Sequence, residues 1–439
     1  MKVKNFLFYF GPHLLSQIIS FFTILIAANV FSNKDFGIFT FAQTVFFILF
    51  SLSFSNIFIF LQKNIQEKFY NRRKDISTCF IINFCVSLLI YIFLLLFVSI
   101  SDYEFNVKIL LCLISLILLS EPFSLSFNYF FIKEKFITLF YIKTLQLLIF
   151  TIIKLYVLYY FKNIYLFALT HVFENIFYST FIIFAYKKEG YNFFRFNTDQ
   201  TYIIKILKKI FIFPFIGFAA LIAMRIDVLM ITQLMNYDEA GFYSAASRTI
   251  SSILLLGFAF LSFIYPKMNE KFRENRKSYY ESYKGFILLS FIITFICYLV
   301  FAIFGPYYLG LWGNNFLKSQ ITLEVLSLNI FLAFTSHIWI QKKYIEKQYY
   351  FILGFQFLTI ILNIIFNLSL IKFFGASGAA IATLFSNLIS FVLINIFNVK
   401  ELSIIFQSFS LETFKLIANK IINAVFKKKN PENKELIKK

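Results

Sequence analysis

The chain has 439 residues, of which 59% are hydrophobic, 22% aromatic and 15% charged, with a formal net charge of +20 and a mean hydropathy of +0.75. Soluble domains average roughly 45–50% apolar and about 25% charged residues, so this composition excludes a water-soluble globule. The apolar excess sits in blocks long enough to cross a hydrocarbon core of about 30 Å, which takes about 20 helical residues.

Taken in chain order, these blocks predict an all-α, polytopic membrane protein. Spans are expected near 7–30, 37–61, 78–100, 108–131, 136–160 and 163–186, and again near 210–236, 241–265, 285–310, 319–340, 350–372 and 376–397. Thr78–Ile100 carries no charge at all, and neither does 285–317, whose one interruption is Gly305-Pro306. Lys2 and Lys4 precede the first apolar run without a small-residue cleavage site before a soluble domain, which reads as a retained first helix. The cysteines Cys79, Cys85, Cys112 and Cys297 lie in or at apolar segments with no metal or disulfide spacing, and read as small hydrophobes. His13, His171 and His337 fall in three different spans, so no metal site is expected.

Basic residues set the orientation, because they are retained on the cytoplasmic side. Of the 42 Lys and Arg, five (Lys34, Lys108, Lys162, Lys318 and Lys372) fall in external segments and four (Lys143, Lys154, Arg225 and Arg248) inside spans; the others fall in cytoplasmic segments if both termini face the cytoplasm. This distribution accounts for the net charge without nucleic acid as a partner.

The organisation predicted is bipartite: an N-terminal six-helix lobe (1–190), a cytoplasmic amphipathic linker (191–209), a C-terminal six-helix lobe (210–398) and a cytoplasmic basic tail (399–439). The linker ends in Tyr202-Ile203-Ile204-Lys205-Ile206-Leu207-Lys208-Lys209, suited to a membrane surface, and the tail carries an interfacial helix from Leu402 to Phe426 stopped by Lys427-Lys428-Lys429. Asp35-Phe36-Gly37-Ile38-Phe39 opens span two as Glu239-Ala240-Gly241-Phe242-Tyr243 opens span eight, each after an external acidic turn. Two parallel halves related by an axis along the membrane normal would produce that repeat.

Ile226-Asp227-Val228-Leu229-Met230-Ile231, then Ala240-Gly241-Phe242-Tyr243-Ser244-Ala245-Ala246 and Tyr265-Pro266 closing span eight, resemble the polysaccharide flippase family, the O-antigen and capsule branch of the multidrug/oligosaccharidyl-lipid/polysaccharide exporter superfamily. The stretch from Gly11 through Phe36-Gly37-Ile38-Phe39 and the segment Phe374-Gly375-Ala376-Ser377-Gly378-Ala379-Ala380-Ile381-Ala382 are similar to its opening and to its signature before span twelve. One departure is Asn29, eight residues before Gly37, where the family often carries arginine. The resemblance implies twelve transmembrane helices in two six-helix lobes around a central cavity, working by alternating access. It implies a cargo of undecaprenyl pyrophosphate bearing one oligosaccharide repeat unit, in the bacterial inner membrane. The partners expected are that lipid-linked oligosaccharide, membrane lipids, and a polysaccharide polymerase and chain-length regulator. No cofactor is expected beyond an H⁺ or Na⁺ gradient.

Ionisable groups inside spans cost on the order of 2.5–3.5 kcal/mol at a helix centre, so they mark wet passages or partners. Lys143 and Lys154 share one face of span five, either as an inward basic stripe for pyrophosphate and acidic sugars or as two snorkelling side chains. Arg225 and Asp227, two apart in span seven, cannot face each other. Arg225 and Arg248 are candidates for the anionic headgroup; an interhelical Asp227–Arg248 pair is the structural alternative. His171 and Glu174, one turn apart in span six, are ion-coupling candidates or a structural pair, and Asp227 and Glu121 are further coupling candidates, Glu121-Pro122 interrupting span four.

A membrane polymerase or glycosyltransferase would need external acidic residues in a sizeable loop, and Asp102-Tyr103-Glu104 sits in one far too short. A drug or cation antiporter of the same superfamily would favour acidic cavity residues over this basic set. The protein is therefore expected to be a transporter and not an enzyme.

Overall fold

The computed structural model describes residues 3–53, 72–190, 199–210, 212–346, 348–396 and 399–415. Residues 54–61 of the second expected span, the start of the linker (191–198) and the tail beyond 415, with Lys427-Lys428-Lys429, lie outside these. Among the described residues every regular element is helical.

Helices α1 (Val3–Val30), α2 (Asn33–Leu52) and α3 (Arg72–Ile100) come first. Ser32 starts α2: its hydroxyl accepts from the Asp35 amide at 3.1 Å and donates to the Asp35 carboxylate at 2.7 Å, satisfying an amide that a helix start otherwise leaves without a partner. The fourth expected span is broken as Glu121-Pro122 predicts. It runs as α4 (Phe105–Ser115), α5 (Ile117–Ser120), a 3₁₀ turn (Glu121–Ser126) and α6 (Phe127–Ile132), because the proline has no amide to continue the ladder. Then come α7 (Phe136–Tyr156), which runs into a π turn at Val157–Phe161, and α8 (Ile164–Lys188), capped by Asn163 accepting from the Tyr165 and Leu166 amides.

The amphipathic α9 (Gln200–Ile210) leads into α10 (Ile212–Leu234), α11 (Tyr237–Glu274), α12 (Arg276–Gly310), a 3₁₀ turn (Asn314–Ser319), α13 (Gln320–Ile345), α14 (Tyr349–Ile396) and α15 (Val399–Gln407). Gly375, at φ 55° and ψ −131°, divides α14 into two helical arms. With that division, a helix stands at each of the twelve positions predicted for a span. Eight described segments, Ile76–Ile100 and Arg276–Gly310 among them, are long and apolar enough to cross a membrane. The fold is that of a polytopic α-helical membrane protein. One boundary differs: α11 runs past Tyr265-Pro266 to Glu274, and at 1.5 Å per residue it is longer than the hydrocarbon requires.

The chain forms two compact units. The first comprises Met1–Arg248, Tyr307–Ser319 and Asn367–Ala379, and the second Thr249–Pro306, Gln320–Phe366 and Ala380–Lys439. In the first unit α2 packs along α10 and α4, α1 along α7, and α8 against α7 and the Glu121–Ser126 turn, while α9 lies against α3. A core of Phe80, Phe130, Ile182 and the buried Cys79 holds α3, α6 and α8 together. In the second unit Trp339 sits between Phe355 and Phe391, with its indole N–H donating to Asn395 Oδ1 at 2.9 Å, as a buried tryptophan requires.

Candidate functional site

The intramembrane charges named from the sequence gather in the first unit, in three connected groups. The first is on α7 and α8. Lys154, buried on α7, makes an ion pair with Glu174 Oε2 on α8 and lies 3.2 Å from His171 Nδ1. Glu174 Oε1 also accepts from the Gln146 amide at 3.1 Å, one face of α7 supplying both donors. His171 and Glu174, one turn apart, stand at 4.0 Å, so the nearer partner of each is Lys154. The structure thus joins a residue expected on the cargo path with two expected to couple ions. Lys143 lies further along α7, half-buried, with its ammonium 5.1 Å from the centre of the Tyr178 ring and in the electrostatic field of Glu174, Lys154 and Glu121. A cation over an aromatic face is held without being neutralised.

The second group surrounds the break in span four. Glu121 accepts from Asn175 Nδ2 at 2.8 Å and from the Ser124 hydroxyl at 3.2 Å. Asn175 in turn accepts from the Ser120 hydroxyl, and Ser179 of α8 donates to the Ser120 carbonyl at 3.2 Å, so α8 takes over a backbone group freed where the helix is interrupted. The carboxylate is therefore satisfied by side chains.

The third group lies on α2, α10, α11 and the first arm of α14. Asp227 is buried and accepts from Tyr243 Oη at 2.5 Å and from Asn367 Nδ2 at 2.8 Å. Arg225, two residues earlier and on another face of α10, lays its guanidinium 4.9 Å from the centre of the Phe47 ring. Arg248 donates to Gln43 Oε1 at 2.5 Å. Gln43 and Phe47 are one turn apart on α2 and so present one face to the two arginines, which lie within electrostatic reach of each other. Arg248 also acts on His171, which links this group to the first. Asn29, the departure from the family pattern, donates to the carbonyl oxygens of Leu25 and Leu311 and so ties α1 to the segment after α12.

At the end of the first unit where α2 and α11 begin, Lys34 pairs with Glu104 at 2.8 Å, and Tyr103 Oη accepts from Gln233 at 3.1 Å. Burial, with Tyr103 and Glu104 nearby, pushes the Tyr237 hydroxyl up to about 12. Glu239 accepts from the Ala376 amide at 2.8 Å, capping the second arm of α14 next to Gly375.

The family model described as "Polysaccharide biosynthesis protein" matches residues 2–272. The chain belongs to that family. Its fold is shared with solved transporters. The lipid II flippase MurJ in an inward closed conformation superposes with a TM-score of 0.69 at 15% identity, over 95% of this chain and 92% of that one. An inward-facing multidrug resistance MATE family transporter of the MOP superfamily gives 0.68 at 12% identity, over 90% and 96%. A MOP superfamily transporter from Pyrococcus furiosus, whose binding pocket is described as of reverse polarity, gives 0.53 at 12% identity, over 91% and 94%. No curated protein matches the sequence.

The second unit holds an ionic cluster of its own, which does not stand out in the sequence. Lys342 and Lys343 on α13 are buried; both approach Glu401 on α15, and both lie within 3.8 Å of Glu346. Tyr280 and Tyr283 flank the Lys342 ammonium at 5.2 and 5.3 Å. In the sequence these charges are indistinguishable from a solvated loop. Gln43, Gln146, Asn175, Tyr243 and Asn367 were missed because they are uncharged; the signal available was their place inside otherwise apolar spans.

Proposed function

We propose that the protein is a flippase that carries an undecaprenyl-pyrophosphate-linked oligosaccharide repeat unit, of an O-antigen or related surface polysaccharide, from the cytoplasmic to the periplasmic leaflet of the inner membrane. Membership of a polysaccharide biosynthesis family and a fold shared with a lipid II flippase support this reading. The observation that carries it is that Arg248, on Gln43, and Arg225, over the Phe47 ring, meet one face of α2 within one unit. Two guanidinium groups in each other's field repel, and a diphosphate between them turns that repulsion into attraction, with fork geometry suited to phosphate oxygens. Lys143, in reach of the same network, extends the positive potential toward the other end of α7.

Both termini face the cytoplasm in this reading, by the distribution of basic loops. Transport is coupled to an H⁺ or Na⁺ gradient. Asp227 is the coupling carboxylate of choice, since a buried anion held by a hydroxyl and an amide can take up a cation or proton, and His171 and Glu174 with Lys154 form a second titratable cluster. A polymerase and a chain-length regulator are its expected partners in surface-polysaccharide assembly.

The test is translocation of labelled lipid-linked repeat unit in proteoliposomes under imposed H⁺ or Na⁺ gradients. Wild type is expected to translocate the cargo, and Arg225→Gln and Arg248→Gln are expected to lose it while remaining folded. Unchanged translocation in both variants, or export of organic cations in place of the lipid-linked cargo, overturns the reading in favour of an antiporter.

A further inference from the structure

The first unit contains a recess that takes no part in the charged network. It has a volume of about 220 Å³ and lies between α2, α3 and α4. Phe41, Val45 and Leu49, spaced by single turns, line it from α2, Phe93, Leu94 and Phe97 from α3, and Leu111 from α4. Tyr103 closes one end, its ring 5.8 Å from Phe41 and 6.3 Å from Phe97, and its hydroxyl anchored by Gln233 at 3.1 Å. Apart from that hydroxyl, the named walls are hydrocarbon and aromatic.

We infer that this recess binds the polyprenyl tail of the lipid-linked cargo, an inference that rests on the flippase reading. Its open side is bordered by Phe93 and Phe97, which are 68% and 51% exposed on a helix that also exposes Leu89, Ile92, Leu96 and Ile100. In a membrane-spanning helix such a surface meets lipid, so the recess opens onto hydrocarbon and its natural occupant is a hydrocarbon chain. The position on α2 decides which chain. Phe41, Val45 and Leu49 are two residues out of step with Gln43 and Phe47, hence about 200° round the helix from them. One helix therefore carries the partners of the two arginines on one face and the apolar recess on the other. A molecule whose diphosphate sits at the arginines and whose tail must stay in the bilayer is led round α2 into this recess. The four aromatic rings among the lining residues offer π faces to the double bonds of an unsaturated isoprenoid.

The experiment uses the full chain in proteoliposomes with two photoreactive probes, a diazirine polyprenyl diphosphate and a diazirine phosphatidylglycerol, and maps the labelled peptides by mass spectrometry. The polyprenyl probe is expected to label the segment from Phe93 to Tyr103, and unlabelled polyprenyl diphosphate, but not phosphatidylglycerol, is expected to abolish that label. Equal labelling by both probes, or competition by phosphatidylglycerol, overturns the inference and leaves a site for ordinary lipid. Val45→Trp, which fills the recess, is expected to lose the label and to slow translocation about tenfold while diphosphate binding persists. The wild-type competition stands alone if that variant does not fold. Absence of any translocation by wild type counts against the flippase reading, whereas normal translocation without the Phe93–Tyr103 label counts against the recess alone.

Discussion

Gly241 is seated on the backbone of Gly37: a Cβ built on Gly241 would stand 3.5 Å from the Gly37 nitrogen and 3.1 Å from the Asn33 carbonyl oxygen, and one built on Gly37 would overlap the Tyr237 carbonyl. These are the glycines of the motif that opens span two and again opens span eight. The repeat seen in the sequence is therefore a contact in the fold, in which α2 and α11 start against each other with no side chain between them. Gly37→Ala meets backbone, which cannot rotate away, so its expected cost is about 1–3 kcal/mol as an overpacked site. Gly241→Ala needs a shift of only a few tenths of an ångström and is expected to cost less. Thermal unfolding in detergent should rank wild type above Gly241→Ala and Gly241→Ala above Gly37→Ala; a Gly37→Ala protein as stable as wild type would refute the close crossing.

The architecture was legible because the bilayer writes a simple code. Lengths of apolar runs, the Glu121-Pro122 break and the Phe374-Gly375 boundary each placed a helix or its end, for reasons of backbone chemistry that need no partner. The site was legible only as a set of charges. Hydrocarbon makes Lys154, Arg225 and Asp227 conspicuous, yet nothing in their spacing reveals that Lys154 turns to Glu174 or that Asp227 turns to Tyr243 and Asn367. Those choices depend on which helices are neighbours. Uncharged partners such as Gln43 carry too small an insertion cost to stand out, and Lys342 and Glu401, more than fifty residues apart and each just outside an expected span, look solvated until packing buries them.

Lys154 and Glu174 form a partly buried ion pair, their side chains 11% and 17% exposed. Removing one partner strands a charge, so Lys154→Met is expected to cost about 3–5 kcal/mol, while the double variant Lys154→Met/Glu174→Leu should recover most of it. Translocation separates structure from coupling: if the cluster couples ions, the double variant is stable yet no longer driven by the gradient. A double variant as unstable as the single one would show that the pair is not the source of the penalty.

Asp227→Asn keeps the shape of the side chain and removes its charge. Tyr243 would keep an acceptor oxygen, and the Asn367 amide, turned over, would accept through its own oxygen from the new Nδ2, so stability should change by less than about 1.5 kcal/mol, the net worth of an ordinary hydrogen bond. Coupling should be lost, with translocation of cargo insensitive to H⁺ and Na⁺ gradients. Gradient-driven transport by Asp227→Asn at the wild-type rate would remove this carboxylate from the coupling mechanism.

Glu189 follows the last residue of α8, outside the span, and the hydrogen bond from Lys135 holds its carboxyl below the usual range. A depressed folded-state pKa stabilises the protein above the unfolded carboxylate value of about 4.3, and that stabilisation is lost as pH falls through the lower folded value. Both side chains are partly exposed, at 40% and 29%, so the contribution is under about 1 kcal/mol and falls with salt. The melting temperatures of wild type and Glu189→Gln should differ slightly at neutral pH and converge in acid. A gap that persists below the folded value would mean that the pair does not account for it.

The buried cluster of Lys342, Lys343, Glu346 and Glu401 makes α15 part of the second unit's packing. Lys284 reaches Gln407 at 2.7 Å, and Phe409, just beyond α15, packs edge-on against Phe291 at 5.2 Å and near Phe331 at 6.2 Å. An interfacial helix held by lipid alone would be indifferent to Glu401. Here Glu401→Gln leaves two buried ammonium groups sharing only Glu346, a loss expected to reach about 3 kcal/mol, the cost of breaking a buried pair. The expected response is undocking of α15, a helix of 9 residues that can leave without unfolding α12 or α13. Hydrogen exchange over Val399–Gln407 should therefore accelerate strongly in Glu401→Gln while α13 stays protected. Uniform acceleration across both helices would mean the cluster supports the whole unit, and unchanged exchange at Val399–Gln407 would mean that the apolar contacts of Phe409, not the ion pairs, hold the helix down.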